Sequence, residues 1–230
     1  MMLEPAEWAA LVLSLKVSFV AMLVSLPLAI AIAWLLARRE FWGKTLLSTL
    51  VHLPLVLPPV VTGYLLLLTF GRTGAVGGFL ESTFGIVLAF RWTGAALAAA
   101  IMGFPLTVRA IRLSIEAVDP RLEAAAATLG AGRLGIFARV TLPLIAPGVL
   151  AGAVLGFAKA MGEFGATITF VANIPGQTQT LPSAIYAFLQ VPGGEAGAIR
   201  LVLLSLVVAV GAVLISEGLA RRVARGIGQR

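Results

Sequence analysis

The sequence predicts an all-α polytopic membrane protein with about five transmembrane helices and one long cytoplasmic loop. Of its 230 residues, 60% are hydrophobic and 12% are charged, and the mean hydropathy is +1.03. A helix needs about 20 apolar residues to cross roughly 30 Å of hydrocarbon, and the chain contains several runs of that length. These runs are continuous and do not alternate with a period of two, which disfavours a β-barrel.

Five apolar runs are expected to cross the membrane, and together they make residues 8–220 one transmembrane domain. Span two is interrupted at Pro54, Pro58 and Pro59, and such breaks are tolerated only where neighbours or a cavity satisfy the freed backbone groups. The predicted spans cover about residues 8–37, 46–70, 86–108, 148–171 and 198–219; polar loops cover 71–85 and 173–197, a cytoplasmic loop covers 109–147, and a basic tail covers 221–230.

The first apolar run is expected to be retained rather than removed as a signal peptide. Glu4 and Glu7 stand where a signal peptide carries positive charge, and the run that follows them is too long.

The distribution of Lys and Arg predicts the orientation, because cytoplasmic loops carry an excess of cations. Twelve lie on one side and three on the other: Arg38, Arg39, Lys44, Arg109, Arg112, Arg121, Arg133, Arg139, Arg221, Arg222, Arg225 and Arg230 against Arg72, Arg91 and Arg200. The amino terminus is therefore expected outside and the carboxyl terminus in the cytoplasm. The net charge of +7 follows this topology, and no nucleic-acid partner is expected.

Composition and motifs argue against an enzyme. The chain has no cysteine and one histidine, His52, which is expected to be structural. The run Gly43-Lys44-Thr45 resembles the end of a phosphate-binding P-loop, but the first glycine of that motif would fall at Arg38. We therefore expect no catalytic residue, metal or bound cofactor, and no ATP binding by this chain.

The cytoplasmic loop contains a polar stretch, Asp119–Pro147, that predicts two short helices joined by a glycine corner. Asp119 is a suitable cap and Pro120 a suitable first residue for the first helix, and Gly130 and Gly132 are suited to ending it. Its middle, residues 124–127, is four alanines. Such an uncharged helix is a candidate docking surface for a cytosolic protein, although alanines are also simply good helix formers.

Two ionisable residues, Lys159 and Glu163, fall within predicted span four. Their spacing of four places them on one helix face, where they can pair, and Thr167 extends the same polar stripe. Ionisable groups at membrane depth usually face a bundle interior or a watery cavity. The two readings are a lining of a translocation pathway and a neutralised structural pair. Gly162 and Gly165 allow close helix approach under either reading.

The outer loop that contains NIPGQTQTLPSAIY is polar and uncharged. Its neutral donors suit an oxyanion, and they equally suit a solvated loop.

Five spans do not divide into two equal inverted halves, so a pathway is expected to form between two copies of the chain around a two-fold axis.

The run LEAAAATLGAGRLGIFARVTLPLIAPG resembles the EAA loop of binding-protein-dependent ABC importer permeases. The resemblance implies the type I importer transmembrane fold and a coupling helix that inserts into a cleft of a cytosolic ATPase. The family's usual glutamate position is Ala124 here, whereas the acidic residue is Glu123, about 100° away around a helix. The candidate coupling residues are Asp119, Glu123, Ala124, Ala125, Ala126, Gly130 and Pro143, with docking assigned to the alanines and Gly130 rather than to Glu123.

A second run, GEFGATITFVANIPGQTQTLPSAIY, is similar to the permeases of molybdate importers, as are FPLTVRAIRLSIEAVD and VPGGEAGAIRL. This resemblance implies a homodimer in a bacterial or archaeal inner membrane, in contact with lipid. It also implies two cytosolic ATPase subunits that use ATP and an external molybdate-binding protein, periplasmic or lipid-anchored. Tungstate is not separable from molybdate by sequence. The alternatives are a sulfate or thiosulfate permease of the same architecture and, in another class, a passive channel or membrane scaffold.

Overall fold

The structure, a computed structural model, describes the backbone of residues 4–228 and the side chains of residues 4–215. Every regular element in this described part is helical. The helices are α1 Pro5–Arg38, α2 Lys44–Val56, α3 Pro59–Phe70, α4 Ala75–Phe84, α5 Trp92–Glu116, α6 Pro120–Thr128, α7 Arg133–Ile136, a π-helical turn Phe137–Thr141, α8 Leu142–Met161, α9 Gly165–Val171, α10 Leu181–Leu189 and α11 Glu195–Gly228.

The described helices are long and apolar enough to cross a membrane four or five times. Four segments qualify singly: Pro5–Arg38, Trp92–Glu116, Arg133–Met161 and Glu195–Ile215. A fifth crossing exists if α2 and α3, which meet at a bend of 114°, count as one broken span. The all-α polytopic class with about five spans is thereby confirmed.

Helix α5 is the centre of the bundle and packs against α1 on one side and α8 on another. Its small side chains make this possible, since Ala95, Ala98 and Ala99 are fully buried. A Cβ added at Gly103 would lie 2.9 Å from the carbonyl oxygen of Gly156, so the backbones of α5 and α8 nearly touch there. Small residues at helix interfaces allow such close packing in lipid.

One ion pair and one hydrogen bond fix which helix ends lie together. Arg200 near the start of α11 contacts Glu7 near the start of α1, with Nη2 2.7 Å from Oε1. At the other end of α1, Arg38 Nη2 donates to the carbonyl of Val118, just beyond α5, at 3.0 Å. The beginnings of α1 and α11 are therefore neighbours, and α1 and α5 end together beside the segment that contains α6 and α7.

Predicted spans three and four are displaced from the observed helices. The chain from Ile86 to Arg91 is not helical, so α5 starts at Trp92 and runs eight residues past the predicted end at 108 to Glu116. Phe90 has a positive φ of 58°, which a helix does not allow. The first residues of the predicted loop 109–147 are thus helical, because Arg109 and Arg112 continue the helix beyond its apolar part.

Span four begins earlier and ends earlier than the predicted 148–171. Helical structure starts at Arg133 and passes through the π-helical turn into α8, which ends at Met161. Pro143 is the second residue of α8, where a missing N–H costs little, so it does not delay the helix. Gly162 caps α8, and α9 is a separate helix that starts at Gly165.

The remaining corrections concern the break in span two, the two polar loops and the tail. The break falls at Pro58 and Pro59, whereas Pro54 is accommodated inside α2. The loops 71–85 and 173–197 contain α4 and α10, both short, and a capping box of Thr180 and Ser183 starts α10. Helix α11 carries the backbone to Gly228, but the side chains of the basic tail 221–230 lie outside the described residues.

Candidate coupling surface and translocation pathway

The predicted helix in the polar stretch is present as α6. Asp119 is its N-cap, with Oδ1 accepting from Arg121 N–H at 2.9 Å, and Pro120 is its first residue. Gly130 follows with φ +83°, a conformation that side chains resist. Gly132 does not use this freedom, since its φ is −69° and it begins α7 instead. The cap and the glycine corner are confirmed, while the expectation for Gly132 is wrong.

The exposed side of this corner is apolar. Ala124, Ala125 and Ala127 are exposed and Ala126 is half-buried. Three leucines extend the surface around the glycine corner: Leu122, Leu129 and Leu134 are 48%, 88% and 85% exposed. We call these exposed alanines and leucines the loop surface. Sequence reasoning missed the leucines, although isolated leucines in an otherwise polar loop would have identified them.

Glu123 points away from the loop surface and into the protein. Its carboxylate lies 3.2 Å from Arg38 Nη2 and accepts the Thr141 hydroxyl at 2.9 Å. These contacts tie α6 to the end of α1 and to the π-helical turn. Glu123 is therefore engaged within the chain, and whether the alanines face a partner stays a prediction. Pro143 lies apart from this surface, at the start of α8.

A second site lies where the two broken helix pairs meet, α2–α3 against α8–α9. A Cβ added at Gly165 would lie 2.7 Å from Pro59 Cβ, and one added at Gly63 would lie 2.5 Å from the carbonyl oxygen of Ala166. Only glycine allows these two segments of the chain to approach this closely. The two breaks are therefore in contact with each other.

Lys159 and Glu163 form an ion pair at this site, although no continuous helix carries them. Lys159 Nζ lies 2.8 Å from Glu163 Oε2, across the break that follows α8. Glu163 Oε1 also accepts from the N–H of Ala166 at 3.0 Å, in the first turn of α9. The Glu163 side chain is 1% exposed and that of Lys159 is 30% exposed. The glutamate is thus enclosed by this chain, and the lysine is the more exposed member of the pair.

Thr167 does not extend the stripe toward open space. It is buried, and its hydroxyl donates to the Phe164 carbonyl at 2.9 Å. Thr62, one residue before Gly63, is a polar residue that sequence reasoning missed. Its hydroxyl oxygen is buried and has no hydrogen-bond partner among the described residues.

A cavity of about 590 Å³ lies between α2 and α5, and we call it the α2 cavity. Its polar lining consists of Lys44, Thr45, Ser48, Thr49, His52 and Arg112. The α2 residues recur every three or four positions, so they share one helix face. His52 Nδ1 lies 2.7 Å from the Ser48 carbonyl, which can only accept, so Nδ1 carries a proton and Nε2 is left for another partner. Sequence reasoning treated these residues separately, because Arg112 joins them only through folding.

The described residues contain no group of three or more His, Asp or Glu side chains placed to hold a metal ion. Long apolar helices, two of them broken and in contact at their breaks, define a multi-pass membrane protein. The match to a family model identifies the family. The chain belongs to the binding-protein-dependent transport system inner membrane components, whose model matches residues 25–225.

Several curated relatives are similar over most of their length. The molybdenum transport system permease protein ModB of Escherichia coli (strain K12) is 60% identical over 221 residues, 96% of each chain. ModB of Haemophilus influenzae is 55% identical over 223 residues, 97% of each chain. The sulfate transport system permease protein CysT of Salmonella typhimurium is more distant, at 38% identity over 187 residues, which cover 81% of this chain and 67% of that protein.

Solved structures show the same fold. A bacterial ABC transporter involved in the import of alginate matches with a TM-score of 0.75 at 20% identity, covering 96% of this chain and 80% of that one. An amino acid ABC transporter matches with a TM-score of 0.67 at 19% identity, covering 96% of this chain and all of the other. The fold is therefore that of ABC importer transmembrane domains.

Proposed function

We propose that this chain is the membrane-spanning permease subunit of an ATP-driven molybdate importer. Two copies form the pathway, cytosolic ATPase subunits supply energy, and an external binding protein delivers the oxyanion. The observation that carries the substrate is the 60% identity, over nearly the whole chain, to a molybdenum permease. The identity to a sulfate permease is lower, at 38%, and this difference supports molybdate over sulfate.

The chemistry of the ion explains the need for partners. Moving a dianion into a cell that is negative inside costs about 2 × 2.3, or roughly 4.6 kcal/mol, per 100 mV. Uphill import therefore needs an energy source and a pathway that is never open at both ends. Because the external binding protein selects the ion, the permease itself needs only weak, transient contacts.

The proposed orientation has the amino terminus outside and the carboxyl terminus in the cytoplasm. The excess of Lys and Arg at one end supports it, twelve against three. The loop surface then faces the cytosol. Its leucines and alanines are suited to bury against an ATPase cleft, and the Arg38–Glu123 contact transmits the movement of α6 to α1.

The proposed pathway runs from the helix breaks to the α2 cavity. Lys159 offers a partly exposed cation at the breaks, and unpartnered Thr62 lies near them. Lys44 and Arg112 line the α2 cavity, and each pairs with an accessible carboxylate: Glu40 is 88% and Glu116 40% exposed. Exposed ion pairs contribute about 0–1 kcal/mol, so a passing dianion can replace these carboxylates at little cost.

Reconstitution tests the proposed function. The permease, its ATPase subunit and the external binding protein are placed in vesicles, and labelled molybdate uptake is measured with and without ATP. We expect ATP-dependent uptake of labelled molybdate. Excess sulfate should reduce this uptake weakly, and excess tungstate should reduce it strongly. Strong competition by sulfate would favour the sulfate or thiosulfate permease, and uptake that follows membrane potential without ATP would favour a passive channel.

The loop surface has its own test. Gly130→Trp adds bulk at the corner, and we expect it to abolish ATPase co-purification and uptake. Gly176→Trp is the matched control for co-purification, since Gly176 also has a positive φ, +74°, and open space around it, but lies on the loop at the opposite end of the molecule in the proposed orientation. Normal co-purification and uptake with Gly130→Trp would refute this docking assignment while leaving the substrate untouched.

A further inference from the structure

A cavity of about 480 Å³ lies behind the coupling loop, between the end of α1 and α7. Its lining includes Trp34 and three arginines, Arg38, Arg39 and Arg133, but a single carboxylate, Glu123. We call it the arginine pocket. Three cations against one anion leave it with a surplus of positive charge, so it favours an anionic occupant.

Arg38 carries a donor that the protein leaves unused. Its Nη2 donates to the Val118 carbonyl at 3.0 Å and lies 3.2 Å from Glu123 Oε1. Its Nε is buried and has no hydrogen-bond partner among the described residues. Buried donors are almost always satisfied, and a charged donor left alone is costly. The orphan Nε–H therefore points to an acceptor that the chain itself does not provide.

Arg39 and Arg133 strengthen the case for an anion. The Arg39 guanidinium lies 5.4 Å from the centre of the Trp34 ring. Neither arginine pairs with a carboxylate in the described part of the chain, whereas Arg38 has Glu123. The planar fork of a guanidinium matches the oxygens of a phosphate in a bidentate manner. A phosphate group is thus the anion whose shape fits this lining.

The pocket also adjoins a surface suited to acyl chains. Helix α1 exposes Val24 and Leu28 at 69% and 57%. Leu35 follows Leu28 by seven residues, which at 100° per residue returns to within about 20° of the same helix face, and Arg39 caps the helix four residues further on. Trp42, just beyond, is 99% exposed, and tryptophan is enriched at membrane interfaces. An apolar face that leads to a basic pocket is typical of a bound anionic phospholipid.

We propose that the arginine pocket binds the phosphate of an anionic phospholipid, with its acyl chains along α1. The phosphate lies beside Arg39 and Arg133, and it accepts from Arg38 Nε after a shift of the Arg38 side chain that opens this buried donor to the pocket. Because Arg38 also holds Glu123 of α6, an occupied pocket fixes the coupling helix against α1. The lipid thereby sets how firmly ATPase movements reach the membrane helices. This site is separate from the pathway and does not depend on which oxyanion is transported.

The test uses the permease–ATPase complex in phosphatidylcholine nanodiscs with or without phosphatidylglycerol, and native mass spectrometry counts the lipid retained. We expect the wild-type complex to retain phosphatidylglycerol selectively. Arg39→Gln with Arg133→Gln is expected to reduce this retention about 25-fold, since each cation near the surface contributes about fivefold. Arg133→Gln alone, at an exposed position, should reduce it about fivefold. Arg121→Gln is the control, because Arg121 is an exposed residue of α6 that does not line the pocket.

A second arm adds inorganic phosphate to complexes in phosphatidylcholine alone and measures the melting temperature. A phosphate-dependent rise that Arg39→Gln abolishes, without selective lipid retention, would keep the phosphate site but overturn its lipid source. Equal retention by wild type and the double variant, with no effect of phosphate, would overturn the proposal. Retention that falls equally in Arg121→Gln would also overturn it, because loss of charge anywhere on the loop would then suffice.

Discussion

Lys159 and Glu163 give an asymmetric prediction, in which removing the lysine destabilises the protein more than neutralising the glutamate. The glutamate side chain is 1% exposed, whereas that of the lysine is 30% exposed. Lys159→Met strands a buried carboxylate, a change that typically costs about 3–5 kcal/mol. Glu163→Gln leaves Lys159 as the charged group, and its side chain is partly exposed. The amide oxygen at position 163 can still accept from Ala166 N–H, so we expect a cost of about 1–2 kcal/mol.

The double variant completes the cycle. With both residues replaced by Met and Gln, no buried charge remains, so the cost should fall about 2 kcal/mol below that of Lys159→Met alone. The matched control is Lys44→Met, which breaks another pair at the same spacing. Its partner Glu40 is 88% exposed, so the expected loss is below about 1 kcal/mol.

The assay is equilibrium unfolding of the purified permease, followed by tryptophan fluorescence, with monodisperse elution as the test of folding. The reasoning fails if Lys159→Met is no more harmful than Lys44→Met. It also fails if the double variant is as unstable as Lys159→Met. In the folded double variant, which has no charge at this site, molybdate uptake then separates the two readings of the pair: loss of uptake supports a pathway cation, and normal uptake supports a structural pair.

Three further outcomes are expected. Gly63→Ala puts a methyl group 2.5 Å from the Ala166 carbonyl oxygen and should cost about 1–3 kcal/mol, whereas Gly132→Ala meets open space; equal melting temperatures would contradict the close contact. Leu129→Glu, at a position 88% exposed, should weaken ATPase co-purification about tenfold or more without lowering the melting temperature, and normal co-purification would remove Leu129 from the loop surface. Asp119→Ala should destabilise α6 by about 1 kcal/mol, seen as faster hydrogen exchange of its amides, while Asp119→Asn keeps the cap; identical exchange in both would contradict its capping role.

Features set by neighbouring residues could be predicted from the sequence. Asp119, Pro120 and Gly130 specify the start and end of α6 within a dozen residues, and the structure agrees. Spans followed from the length of apolar runs, but their ends did not. A helix does not stop where its apolar part stops, so α5 continues through Arg109 and Arg112 to Glu116.

Contacts between distant residues could not be predicted. Glu123 turns inward because it pairs with Arg38, which is close in space but 85 positions away in the sequence. No local pattern indicates that partner. The same holds for Arg112 opposite the polar face of α2. The Lys159–Glu163 pair was predicted by spacing on a continuous helix, yet it forms across a helix end.

The contact between the two helix breaks explains why these polar residues belong together. A break at Pro58 and Pro59 frees backbone groups that lipid cannot satisfy, so another chain segment must approach closely. Gly165 permits that approach, since any side chain there would meet Pro59.

A glycine at this position in turn weakens the start of α9, whose free N–H groups need an acceptor. Glu163 supplies that acceptor, because its Oε1 accepts from Ala166 N–H. A carboxylate enclosed in a membrane protein in turn needs a counter-ion. Lys159 is that counter-ion, placed where it also reaches open space. Each residue is thus required by the one before it, from the prolines to the lysine. In the proposed pathway, the cation that an entering oxyanion meets is therefore also the last stabilising partner of the break, so we expect an oxyanion that draws Lys159 away to weaken this junction.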